Sequence, residues 1–198
     1  MGEQNRKRGE WGSFISIVLV AGFFIGWALI PAPLLEHAWK AEQAQMAACA
    51  GENANHWILL QAAGTVSEAA KDAQRSVAEL GDSLLEHWLR GRVYVSLLWI
   101  ALVTYRAFAL LMWGLIGIPL LMATSVDSFY VREIRKTAFV SQSPIRHKLG
   151  MHFFRLVSVA LVLWLCLPMA MPIIAAPAVI VFMAISLWLW VSNLQKRL

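Results

Sequence analysis

Residues 11–30, WGSFISIVLVAGFFIGWALI, form a twenty-residue stretch without a single charge. A helix rises about 1.5 Å per residue, so such a stretch covers the roughly 30 Å hydrocarbon layer of a bilayer. Pro31 follows and ends the helix, because proline lacks a backbone donor. We predict a transmembrane helix over 11–31, preceded by a basic cytoplasmic N-terminus over 1–10. The apolar run exceeds that of a cleaved signal peptide, so we expect a retained anchor.

The composition of the whole chain has the same apolar character. Of the 198 residues, 59% are hydrophobic and 15% are charged, whereas soluble domains have about 45–50% apolar and about 25% charged residues. This argues against a soluble enzyme domain, a disordered chain and a disulfide scaffold. Because the apolar residues are concentrated in blocks, we expect an all-α membrane protein with four transmembrane helices. A helical periplasmic excursion over 32–92 would separate the first helix from the second.

The second apolar block, 93–123, contains one charge, Arg106. A single helix over this block would be about 46 Å long, so we place its membrane part at about 104–123. Arg106 then lies near one face of the membrane. We favour an interface anchor whose side chain extends toward the headgroups, since a charge at mid-bilayer is expensive. The alternative is an ion partner buried in the protein.

The third apolar block, 156–191, is too long for one ordinary span. Two prolines, Pro168 and Pro172, interrupt it, and proline is poorly tolerated inside a helix. We therefore predict transmembrane helices over 153–167 and 173–191, joined by a turn over 168–172. A single kinked helix is the alternative, and it would place the C-terminus on the other side of the membrane.

The distribution of basic residues predicts the orientation. The N-terminus, the loop over 124–152 with the start of the third span, and the tail over 192–198 contain eleven of the 17 lysines and arginines. Their net charge is +7, whereas the excursion over 32–92 has a net charge of −3. Basic residues near span ends favour the cytoplasmic side. We expect a multi-pass protein of the bacterial inner membrane with both termini cytoplasmic and its basic segments near anionic lipids.

The excursion contains two predicted helices. One covers 34–50 and ends at Gly51. The other covers 66–88 and begins with Thr65 as its cap, followed by an apolar stripe with helical spacing. The two helices pack either on each other or on a partner, and the stripe is too narrow to decide between these. Gly91 either breaks the second helix or lies within a helix that continues into the second span.

Sites for chemistry are not recognisable in the sequence. It contains no nucleotide-binding glycine motif, no H-E-x-x-H and no C-x-x-C, so we expect no enzyme activity, no cofactor and no metal. Cys49 and Cys166 are expected to be separate free thiols. Gly22 and Gly26 form a G-x-x-x-G pattern in the first span, which predicts a helix-packing face.

The stretch 126–136, VDSFYVREIRK, resembles the V-D-G-L-x-x-R-x-x-R-R signature of the integrating conjugative element membrane protein family. Ser128 stands where that signature has glycine. Pro168 and Pro172 resemble the family's turn, and the resemblance covers roughly the C-terminal half. The matching residues are Asp127, Arg132, Arg135 and Lys136, with His147 resembling a histidine that follows the signature. Because family members are encoded beside the type IV coupling ATPase of conjugative elements, the resemblance implies a role in DNA transfer.

From these features we expect a non-enzymatic accessory subunit of a conjugative, type IV secretion-like system. Asp127, Arg132, Arg135, Lys136 and His147 would bind the coupling ATPase or another membrane protein of the transfer apparatus. We do not expect direct contact with nucleic acid, because the basic loop is short and adjoins anionic lipid. Two alternatives stay open: an oligomeric channel or transporter lined by Arg106, and an assembly scaffold that acts through the periplasmic helices. Both allow a homo-oligomer.

Overall fold

The computed structural model describes residues 21, 22, 24–78, 84–137 and 144–193. Within these ranges all regular secondary structure is helical. The predicted cytoplasmic N-terminus, most of the first predicted span and the basic tail from residue 194 lie outside the described residues. The end of the first apolar block is helical over 24–29. The five complete helices are α1 (Ala32–Ala50), α2 (Glu52–Ala78), α3 (Leu84–Thr137), α4 (Pro144–Cys166) and α5 (Ala175–Ser192).

In the part of the chain that the structure describes, three helical segments are long and apolar enough to cross a membrane, which is typical of a membrane protein. They are Glu86–Arg135 in α3, Lys148–Cys166 in α4 and Ala175–Ser192 in α5. The third apolar block contains two separate helices rather than a single kinked one, since α4 ends at Cys166 and α5 begins at Ala175. The third span was predicted to begin at residue 153, but α4 begins nine residues earlier at Pro144, because the helix continues through the polar stretch before it.

Helix α3 is the longest element, with 54 residues and a length of about 81 Å. It passes Gly91 without a break, which decides between the two alternatives for that glycine. It also continues past the predicted span and ends at Thr137. Arg135 and Lys136 lie in its last turn, where cations are favourable. Pro119 lies inside the helix, where it lacks the backbone donor for one hydrogen bond.

The two helices of the excursion differ from the prediction in their limits. Helix α1 begins at Ala32 rather than at residue 34, and residues 84–88 of the second predicted helix belong to α3. Gly51 ends α1 as expected, and its φ of 89° is a conformation that glycine adopts readily. Thr65, however, is not a helix cap, because α2 begins at Glu52 and continues through Thr65. The Thr65 hydroxyl instead donates to the carbonyl of Ala62, 2.9 Å away, in the preceding turn. A serine or threonine inside a helix commonly makes this bond.

The helices are arranged around α3. Its N-terminal half contacts α1 and α2, which also contact each other, so the excursion is not a separate unit. Its C-terminal half packs along α5, and α5 separates α3 from most of α4. Small residues permit this packing: a Cβ added to Gly117 of α3 would lie 2.5 Å from the Ile180 side chain. At Gly150 of α4, an added Cβ would lie 2.8 Å from the backbone nitrogen of Trp190.

The replacement Gly150→Ala is expected to destabilise the protein, because backbone cannot move aside as a side-chain end can. Overpacking of this kind costs about 1–3 kcal/mol. The matched control is Gly114→Ala in α3, where an added Cβ meets nothing within 4 Å and the higher helix propensity of alanine acts alone. Thermal unfolding in detergent micelles compares the two variants. Equal unfolding temperatures would contradict the close α4–α5 contact.

Candidate functional site

The charged side chain in the second apolar block, Arg106, is completely buried. It forms an ion pair with Glu42 of α1, whose side chain is also completely buried. The Nε of Arg106 donates to Glu42 Oε2 at 2.9 Å, and its Nη2 donates to Oε1. This two-point contact fixes the orientation of both groups, because the planar guanidinium matches the carboxylate.

The remaining donors of Arg106 bind the C-terminal end of α4. Its Nη1 donates to the carbonyl oxygens of Trp164 and Leu167 at 2.8 and 2.6 Å, with Leu165 at 3.2 Å. Its Nη2 also donates to the carbonyl of Met169 at 2.6 Å. A helix leaves its last carbonyls without intrahelical partners and has a partial negative charge at that end. Arg106 therefore caps α4 and the turn that follows it.

Helix α1 provides acceptors for the other half of the same turn. Glu42 Oε1 accepts the backbone N–H of Met171 at 2.9 Å, and Gln45 Oε1 accepts that of Ile173 at 2.9 Å. The turn between α4 and α5 thus has its carbonyls bound by α3 and two of its amides bound by α1. Its conformation depends on side chains from two distant parts of the sequence.

Aromatic side chains enclose this cluster. Trp164 Nε1 donates to the carbonyl of Pro172 at 3.4 Å, and Trp99 Nε1 donates to that of Cys166 at 2.9 Å. Tyr105 donates its hydroxyl to Asn55 Oδ1 at 2.8 Å, which connects α3 to the start of α2. The Trp39 ring lies 5.4 Å from the Tyr105 ring. The two side chains of the ion pair are completely buried, and burial strengthens their hydrogen bonds.

Arg106 is the buried ion partner of the alternative interpretation and not an anchor with a free side chain, because its guanidinium is completely buried and paired with Glu42. Burial is tolerated since every nitrogen of the guanidinium has an acceptor, and unpaired burial would be costly.

The partner of Arg106, Glu42, was not singled out in the sequence. The spacing does contain a signal: Glu42 follows Leu35 and Ala38 and precedes Met46 on one helical face, and those three apolar residues are buried.

A second arginine of α3 has a similar role. Arg92, fourteen residues before Arg106, donates from Nη1 to the carbonyls of Trp27, Ala28 and Ile30 at 3.2, 3.0 and 2.9 Å. These carbonyls belong to the end of the first apolar block. Fourteen residues are close to four helical turns, so both arginines project from similar sides of α3. Each caps the C-terminal end of another helical segment.

The predicted partner-binding residues lie near the opposite end of α3. Asp127 accepts a hydrogen bond from Trp188 Nε1 at 2.7 Å, and Arg135 donates to the Ser192 carbonyl and to Asn193 Oδ1, both at 3.3 Å. These two residues therefore join α3 to α5. Arg132 is half-buried, and its Nε has no hydrogen-bond partner among the described residues. The side chains of Lys136 and His147 lie outside the described part of the chain.

The other sequence predictions concern isolated residues. Cys49 and Cys166 are exposed free thiols, as expected. Gly22 and Gly26 have no neighbour that an added Cβ would contact within 4 Å, so their packing face stays a prediction. In the ranges that the structure describes, no three histidine, cysteine or acidic side chains are grouped so that they could hold a metal ion.

Comparison with known proteins finds no match for this chain among protein-family models, curated proteins or solved structures.

Arg106 and Glu42 form a clamp that connects α1, α3 and the α4–α5 turn. The replacement Arg106→Leu should destabilise the protein strongly, because it leaves the Glu42 carboxylate buried without a counter-ion. Removing one partner of a buried pair costs about 3–5 kcal/mol. The control is Arg75→Leu in α2, which removes an exposed arginine whose partner Asp72 lies 3.5 Å away; such surface pairs contribute about 0–1 kcal/mol.

Chemical unfolding in micelles measures both effects, and the double variant Glu42→Ala/Arg106→Ala measures their coupling. The effects of the single variants Glu42→Ala and Arg106→Ala should not add, since each removes the same contact. Additive effects would show that the two side chains do not interact in the folded protein.

Proposed function

We propose that this chain is a multi-pass protein of the bacterial inner membrane with four spans, in which residues 107–126 of α3 cross the hydrocarbon layer. This stretch contains twenty residues without a charge, which matches a thickness of about 30 Å. Two polar contacts flank it, Arg106 with Glu42 at one end and Asp127 with Trp188 at the other. This assignment is three residues later than the 104–123 expected from the sequence.

Contacts at the two ends of the spans support an orientation with both termini cytoplasmic. The acidic excursion meets the α4–α5 turn through Glu42 and Gln45, so these two segments share one side. The basic residues at the end of α3 lie near the end of α5, because Arg135 binds Ser192 and Asn193. An excess of basic residues on this second side favours the cytoplasm. The excursion would then be periplasmic.

We infer further that the protein is a non-enzymatic accessory subunit of a conjugative DNA-transfer system. Its partner would be the coupling ATPase or another membrane protein of that apparatus. One observation supports this most: α3 continues beyond residue 126 and exposes apolar side chains beside a basic one. Phe129, Tyr130 and Ile134 are each more than half exposed, and Arg132 lies between them in sequence. We call these four residues the docking face.

The hydrogen bonds of α3 with α5 divide the predicted partner-binding residues into two groups. Asp127 and Arg135 position the end of α3, so replacing them would disturb the fold as well as any partner. Arg132 makes no such contact with α5 among the described residues, and it is the better residue to test. Aromatic residues and arginine are enriched where proteins bind each other, which supports a protein partner for the docking face.

Burial of Arg106 bears on the channel alternative. Its guanidinium is bound by Glu42 and by the end of α4, so it does not line a water-filled path within one copy of the chain. The scaffold alternative is favoured by a different observation: the outer half of α2 exposes several charged side chains, among them Glu68, Lys71 and Asp72. A partner in the periplasm could be bound there.

The replacement Arg132→Glu should abolish recovery of the partner, because it reverses the basic charge next to the exposed side chain of Phe129, one helical turn away. The measurement is a mild-detergent pull-down of the tagged full-length protein from donor-cell membranes, with mass spectrometry of the recovered proteins. The wild-type protein should recover the coupling ATPase in stoichiometric amount. The control is Lys71→Glu, which makes the same charge change on the exposed part of α2.

Three outcomes decide between the alternatives. Loss with Arg132→Glu alone supports cytoplasmic docking, whereas loss with Lys71→Glu alone supports the periplasmic scaffold. Recovery of nothing but copies of this chain by the wild-type protein would contradict the accessory-subunit proposal.

A further inference from the structure

The tip of the α1–α2 hairpin, residues 46–60, lies beside the beginning of the apolar run of α3. Met46 of α1 and Ile58 of α2 share a buried cluster with Ala109 of α3 and Trp164 of α4. The Trp57 ring packs edge-on against the ring of Phe108, with 6.3 Å between their centres. Phe108 is the second residue of the uncharged run that follows Arg106. The tip therefore extends past the level of the ion pair in the direction of the spans.

The exposed side chains of the hairpin tip are not those of a surface that faces only water. The side chains at the tip are of two kinds. Glu52 and Asn53, next to the turn at Gly51, are exposed and polar. Trp57 and Leu60, three residues apart and thus on one face of α2, are 40% and 58% exposed. A mixture of charged groups, a tryptophan and a leucine suits the headgroup layer, where amphipathic rings are enriched at the boundary between water and hydrocarbon.

We propose, on the basis of the proposed placement and orientation of the spans, that the tip of the α1–α2 hairpin lies in the headgroup layer of the outer leaflet, with Trp57 and Leu60 in contact with lipid. The outward face of Trp57 continues the apolar surface of α3, because its ring adjoins Phe108. Lipid that surrounds the spans therefore also reaches Trp57. The outer half of α2 extends away from this layer into water, which agrees with its exposed charged residues.

Positions along α2 can be used to measure depth relative to the bilayer. Leu60, Ser67 and Gln74 are all exposed and seven residues apart, so they share one face and differ in position by about 10 Å per step. Each is replaced singly by cysteine in the full-length protein, in which the exposed Cys49 and Cys166 have been changed to serine. The three variants Leu60→Cys, Ser67→Cys and Gln74→Cys then carry one environment-sensitive fluorophore each.

The labelled proteins are reconstituted without a partner in vesicles of phosphatidylcholine and phosphatidylglycerol. Quenching is measured with lipids spin-labelled near the headgroup end of the acyl chain, and separately with iodide added to the water. Lipid quenching should be severalfold stronger at position 60 than at position 74, with position 67 between them. Iodide quenching should follow the opposite order.

Two results would overturn the proposal. Equal iodide quenching at positions 60 and 74 would show that the tip is surrounded by water. Protection of position 60 from both quenchers would show that protein, such as a second copy of the chain, covers it. The experiment contains no transfer apparatus, so either result leaves the proposed docking of a cytoplasmic partner unaffected.

Discussion

The ion pair between Arg106 and Glu42 is the contact on which the rest of the structure depends. Burying either charge alone in an apolar protein would be prohibitive, and the pair is acceptable because its remaining donors and acceptors bind backbone groups. Those groups belong to the end of α4 and to the turn before α5. The excursion, the long helix and the last two spans are therefore held in one arrangement by two side chains.

This dependence follows from the way helices end. The final carbonyls of α4 would be left without partners inside the protein, because a helix does not satisfy its own last four carbonyls. Arg106 satisfies them, and Arg92 does the same for the carbonyls at the end of the first apolar block. Helix α3 thus provides both caps from one continuous element. Arg92 and Arg106, two of the five arginines of α3, are explained by the helical segments that end beside them.

The sequence allowed the apolar helices to be predicted, and the positions of their ends less well. The prolines at 168 and 172 correctly separate α4 from α5, because proline interrupts helices wherever it lies. The helix limits at 144 and 137 were not predictable from hydropathy, since a helix can continue into water beyond the bilayer. Thr65 failed as a cap for a related reason: threonine also binds the carbonyl of the preceding turn inside a helix, and the local sequence fits both.

The candidate site was predicted only in part, and the reason is a different one. Arg106 was identifiable as a lone charge, but its partner lies 64 residues away, and no local pattern gives so distant a contact. Asp127 and Arg135 were identified by a family resemblance, yet the hydrogen bonds they make to α5 depend on tertiary packing. Sequence patterns report periodicity and charge balance. They do not report which charged groups meet.

The most direct measurement is thiol crosslinking in native membranes between α1 and the α4–α5 turn. Gln45→Cys and Met171→Cys, both half-buried positions near the ion pair, are combined in a chain whose Cys49 and Cys166 are changed to serine. A short bifunctional thiol reagent should join them within one chain, and the link should be lost when Arg106→Leu is added. Absence of a crosslink while both thiols react singly would show that α1 does not contact the turn, and would contradict the clamp.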